Sequence, residues 1–77
     1  MSVPSDWVYN YEFDGGETSC ERLIVDMREF FSSLPHGISI LVTAQNPSAM
    51  LELPSWCWSS GNRLLKRQHP YYLIQKK

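Results

Sequence analysis

The chain is predicted to fold as an α/β (α+β) two-layer sandwich of order β-α-β-α-β-β, a four-stranded mixed sheet with two helices on one face. Three observations predict it. Strand-like and helix-like runs alternate along the first two thirds of the chain, which builds a sheet covered by helices. Residues 20–34 repeat apolar side chains at three- and four-residue spacing, so one helical face is apolar. The last third holds two strand-like runs separated by Gln68-His69-Pro70, short enough for a hairpin.

The first strand is read over Trp7-Val-Tyr-Asn-Tyr-Glu-Phe13, where large side chains fall at alternate positions. Asp14-Gly15-Gly16 ends it in a turn. Thr18-Ser-Cys-Glu21 fits a capping box, in which the Thr18 hydroxyl accepts a backbone N–H and Glu21 reaches back to the Thr18 N–H. The first helix then buries Cys20, Leu23, Ile24, Met27, Phe31 and Leu34, and Leu34-Pro-His-Gly37 stops it. Ile38–Thr43 is a short β-branched run, read as a buried strand. Asn46-Pro47 starts the second helix, with Asn as N-cap and Pro in the first helical position. Pro54 removes a backbone donor and predicts a kink or a break, and Gly61 suits the C-terminal stop. The closing strands are 62–67 and 71–75.

The 77 residues suffice for one domain, 1–77, with 1–6 expected to be a flexible N-terminus. So short a chain buries only about 60% of its unfolded surface, which favours a docking surface or one exposed reactive group over a deep substrate cavity. The opening Met1-Ser-Val-Pro-Ser-Asp6 lacks a basic n-region and an apolar h-region, and no apolar run approaches ~18 residues. A cytoplasmic location without membrane contact is expected.

Net charge is −1, but all eight acidic residues lie at or before Glu52, and five of the seven basic residues (Arg63, Lys66, Arg67, Lys76, Lys77) lie after it. This basic patch reads first as a solvated strand face plus a basic tail, and it also suits an acidic partner or a phosphate backbone. The negative total and the lack of any RNA-binding motif argue against specific nucleic-acid binding. Two cysteines are too few for a Cys-only zinc site, and His36 and His69 show no ligand spacing, so no metal and no cofactor are expected.

Cys20 is the group that carries chemistry. With Thr18 as N-cap it falls at about the second helical position, where unpaired N–H groups and the positive end of the helix dipole favour thiolate over thiol. Glu21 beside it opposes that effect. The same position also fits a small apolar residue opening the buried stripe. Asp14 is positioned to orient the loop before Cys20 by accepting backbone N–H groups, or simply to cap a turn.

Cys57 is read as a core residue. In the predicted topology it sits near the end of its helix while Cys20 starts the other, beyond the ~7 Å that a disulfide tolerates. Trp56 and Trp58 are two apart on a helix and point to different sides, so both cannot be fully buried, and the partly exposed one either packs at the sheet edge or anchors a partner. His36 is read as a solvated loop residue.

The spacing of these residues resembles the TusA/SirA-like sulfur-carrier family. The resemblance rests on Asp14 six residues before Cys20, Gly37 seventeen after it, Asn46-Pro47, Leu53-Pro54-Ser-Trp-Cys57 and Gly61, in a register free of gaps from Asp14 to about Leu65. Tyr71-Tyr-Leu-Ile-Gln-Lys-Lys77 is similar to the family's closing strand. Glu21 and Leu23 stand where the family has prolines, and Glu17 where it has glycine. A monomer is expected, and the resemblance implies a sulfurtransferase-like carrier whose cysteine, here Cys20, takes persulfide sulfur from a donor protein and hands it to an acceptor protein. The altered frame around Cys20 allows an alternative, an interaction or regulatory module that keeps the fold without sulfur transfer.

Overall fold

The computed structural model describes residues 6–17 and 19–77, with Cys20 described through its backbone. The elements run β1 (Tyr11–Asp14), α1 (Cys20–Ser32), β2 (Ser39–Thr43), α2 (Ala49–Ser60), β3 (Arg63–Gln68) and β4 (Tyr71–Gln75). The sheet order is β1-β2-β4-β3, with β1 and β2 parallel and the other pairs antiparallel. The parallel pair needs a crossover, and α1 supplies it. This is the mixed sheet and two-helix layer that the sequence predicts.

Both helices cover one face. Leu23, Met27 and Phe31 of α1 and Ala49, Leu53, Trp56 and Cys57 of α2 join Ile40, Val42, Tyr72 and Ile74 of the central strands in one buried cluster. Phe13, Ile24 and Leu64 pack at its margin. Phe31 meets Trp56 edge-on, with ring centroids 5.2 Å apart at 84°.

Several boundaries differ from the sequence reading. The first strand begins at Tyr11, not Trp7. Asn10 still pairs with β2, its N–H donating to the Ser39 carbonyl and its side-chain oxygen accepting the Ser39 N–H. Upstream of Asn10 the chain leaves the sheet plane. Glu12, Leu41, Leu73 and Lys66 form one cross-strand row on the face turned away from the helices. Asp6 lies 3.8 Å from Lys66, at the opposite edge of the sheet from β1. Residues 6–10 therefore run as a strap from the β1–β2 edge toward β3 on the open face, the face on which Leu41 and Leu73 are 2% and 4% exposed. Tyr9 within the strap hydrogen-bonds the Glu12 carboxylate, which raises the pKa of the phenol. Alternating aromatics predicted a strand here because a strap that packs one side on a sheet shows the same alternation. Of the N-terminus expected to be flexible, residues 1–5 lie outside the described residues, and Asp6 is exposed with a carboxylate oxygen 3.8 Å from the Lys66 ammonium.

The second helix begins at Ala49 with Ser48 in the N-cap position, so Asn46 and Pro47 are not its N-cap and first residue but form a turn before it. Asn46 Oδ1 accepts from the N–H and hydroxyl of Ser48, and the N–H groups of Ala49, Met50 and Leu51 donate to carbonyls three residues back. Asn46 thus caps a tight turn that leads into the helix. Pro54 does not break the helix, which runs uninterrupted from Ala49 to Ser60. The carbonyl that loses its donor belongs to Met50, an exposed residue, where water can satisfy it. Buried Leu53, Trp56 and Cys57 hold the helix to the sheet on either side of Pro54. Gly61 ends the helix in the left-handed region, φ 81°.

Candidate functional site

The C-terminal ends of the parallel strands and the N-terminal ends of both helices gather at one end of the sandwich. In open α/β sheets such strand ends are where chemistry collects. After Asp14 the Gly15 N–H still donates to the Thr43 carbonyl at 2.8 Å, so the loop leaves β1 pinned to β2. A Cβ at Gly15 would run into Leu23 Cδ1 and come within 3.0 Å of the Thr43 carbonyl, so only glycine allows α1 this close. Asp14 Oδ1 accepts the Gly16 N–H at 2.9 Å, which turns the chain. The Gly16 carbonyl accepts the Gln45 N–H at 2.9 Å and ties the β1–α1 loop to the β2–α2 loop. Through its one bond to the N–H two residues on, Asp14 caps the turn after β1.

Thr18 lies outside the described residues, and with it the expected capping box. The N-cap position belongs to Ser19, whose side chain makes no capping bond, and its carbonyl accepts the Leu23 N–H at 2.8 Å. Cys20 is consequently the first helical residue and not the second. The first turn of an α-helix carries N–H groups without intrahelical partners and the positive end of the dipole, both of which lower a thiol pKa. Glu21 is exposed in the same turn. It makes no described bond back to the N-cap, and its charge opposes a thiolate. A shallow cleft of about 250 Å³ opens alongside, lined by Glu17, Gln45, Asn46 and Pro47. No sequence pattern singles out Gln45, and Glu17 stands out only as a departure from the resembled family's glycine. Loop pairing brings them together, and periodicity does not register loop pairing.

Cys57 faces different surroundings. It is 3% exposed in the core near the end of α2, and burial pushes its thiol up to about 11. That thiol is protonated at neutral pH and poorly nucleophilic. Of the flanking tryptophans Trp56 is 9% exposed and Trp58 89%, so the expected split between a core and a surface tryptophan holds. His36 is exposed in the loop after α1, with Nδ1 2.6 Å from the Lys77 carbonyl oxygen. The basic patch divides. Arg63, Lys66 and Arg67 lie along edge strand β3, while Lys76 and Lys77 border a cavity at the far end of the helices. Among the described residues no three His, Cys, Asp or Glu side chains gather into a metal-ligating group, and no helix is long and apolar enough to cross a membrane.

No protein-family model matches the chain, and no curated protein is significantly similar to it.

Proposed function

We propose that the chain relays sulfur as a persulfide on Cys20 between a donor and an acceptor protein, in the manner of the TusA/SirA-like carriers it resembles. The observation that supports this most is the placement of Cys20 as the first residue of the 13-residue helix α1, at the C-terminal end of the parallel β1–β2 pair. In the reaction the Cys20 thiolate attacks the terminal sulfur of a donor persulfide. The donor S–S bond breaks, the donor leaves as thiolate, and Cys20 carries the new S–SH group. Reversing the roles delivers that sulfur to the acceptor. The exchange needs no external oxidant or cofactor, only access for a partner's cysteine. The relay acts as a single copy and belongs to a reducing compartment such as the cytosol, where thiols stay available.

Intact mass after incubation with a cysteine desulfurase and cysteine tests the proposal. The expected result is a gain of about 32 Da that reductant removes and that Cys20→Ser lacks. No gain, or a gain that persists in Cys20→Ser, overturns it.

A second reading, an interaction or regulatory module without sulfur transfer, draws support from the exposed Glu21 carboxylate beside Cys20 and from Leu23, 1% exposed in the core where the family's second proline would stand. A Cys20 pKa at or above ~8.5, read from alkylation rate against pH, favours that module.

A further inference from the structure

At the far end of α1 from Cys20, roughly 18 Å along the helix axis, a cavity of about 500 Å³ opens between the two helices and the end of β4. Its floor is Phe31 and Trp56, the edge-on aromatic pair of the core. Its rim carries Arg28, His36, Lys76 and Lys77, and none of the side chains lining it is acidic. The volume lies in the range of small-molecule sites, about 300–1,000 Å³.

The rim cations are not equivalent. The Lys76 ammonium donates to the Leu34 carbonyl at 2.6 Å and so compensates the negative end of α1. The stem of Lys77 lies against Gly61, where an added Cβ would come within 2.9 Å of its Cδ. Among the described residues, neither the Arg28 guanidinium nor the Lys77 ammonium has a hydrogen-bond or ion-pair partner. Arg28 sits a turn before the end of α1, on the strand of helix that leads to Phe31 and Ser32. Two unpaired cations above an apolar aromatic floor complement a ligand with a flat apolar body and an anionic head. Guanidinium pairs well with planar or tetrahedral oxyanions, and aromatic edges and faces accept a ring.

We propose that this cavity binds a small aromatic anion, its ring against Trp56 and Phe31 and its carboxylate or sulfonate between Arg28 and Lys77. The site lies apart from Cys20 and stands whether or not Cys20 carries sulfur. Phe31 and Trp56 are 3% and 9% exposed and so present only their edges to a ligand, while the rim charge on exposed side chains contributes selectivity for the anionic head group.

The test uses two matched fluorescent probes, 8-anilinonaphthalene-1-sulfonate and the uncharged N-phenyl-1-naphthylamine, titrated against the full chain and followed by fluorescence and by the indole N–H resonances. The sulfonate is expected to bind with one-to-one stoichiometry, to shift Trp56 and to leave Trp58 unmoved. Arg28→Glu is expected to weaken the sulfonate about fivefold or more and the neutral amine less than twofold, with the melting temperature unchanged. Ser32→Trp, which fills the mouth, is expected to abolish both. Cys20→Ser is expected to bind as the parent does. Equal affinity for the two probes, a shift at Trp58 in place of Trp56, or indifference to Arg28→Glu overturns the assignment. Indifference to Ser32→Trp in a folded variant does the same.

Discussion

Cys20 and Cys57 hold different positions in the fold, one at the start of a helix and one in the core. Cys20 opens α1, where backbone N–H groups without intrahelical partners favour the thiolate. Cys57 is enclosed by the core, which disfavours any charge and raises its pKa to about 11. Two outcomes follow at this scale. Iodoacetamide at pH 8 is expected to modify Cys20 and spare Cys57 until denaturant is added, as peptide mapping would show. The second is a pH dependence. Between the ordinary thiol value of 9.0 and about 11, the unfolded chain releases the Cys57 proton while the folded chain keeps it. The folded state then binds more protons, so stability falls as pH rises through that window and is unaffected below it. The loss attributable to Cys57 reaches about 2–3 kcal/mol at the top of the window. Melting temperatures from pH 8 to 11 are expected to fall more steeply for the parent than for Cys57→Ala, since only the parent carries this thiol. Equal slopes would mean that Cys57 reaches water in the folded state.

At the scale of elements, α2 separates burial from exposure within three residues. Trp56→Ala removes the ring that packs against Phe31 and is expected to cost about 3 kcal/mol. Trp58→Ala, at a position 89% exposed, is expected to stay within about 0.5 kcal/mol. Chemical denaturation of the two variants measures both. Gly15→Ala is expected to cost about 1–3 kcal/mol, because its methyl meets Leu23 and the Thr43 carbonyl together. These contrasts also show what the sequence makes legible. Helix α1 is visible because its apolar spacing repeats over three turns, and Gly61 because a left-handed stop favours glycine. The start of β1 is not visible. Trp7 and Tyr9 continue the alternation of Tyr11 and Phe13 after the chain has left the sheet. The continuity of α2 through Pro54 is likewise set by tertiary packing, which outweighs the local loss of one hydrogen bond. Of the candidate site, Cys20 and Asp14 could be located from spacing. The contacts of Gln45 could not, since they arise from the pairing of two loops. The cavity draws on both helices and both ends of the C-terminal half, and no window of the sequence contains it.

At the scale of the whole molecule, a two-layer sandwich leaves one sheet face without a helix, and in this chain residues 6–10 run along that face. Leu41 and Leu73 sit at the centre of that face and are almost fully buried. The Asp6–Lys66 pair at 3.8 Å marks where the strap arrives, but both side chains are half or more exposed, so the pair itself contributes little. The stabilisation lies in the apolar area covered. Exposing two leucines costs about 3 kcal/mol on the usual transfer scale, a large share of the 5–15 kcal/mol that holds a typical domain together. A chain starting at Asn10 is therefore expected to melt about 15 °C lower than the parent and to self-associate at micromolar concentration through its bared leucines. Lys66→Glu, which breaks the ion pair and leaves the segment in place, is expected to shift the melting temperature by no more than a few degrees. Thermal unfolding and sedimentation velocity on the three proteins separate cover from charge. A shortened chain that melts with the parent and stays monomeric would show that the open face does not depend on the strap. A Lys66→Glu variant that melts as low as the shortened chain would place the stabilisation in the ion pair.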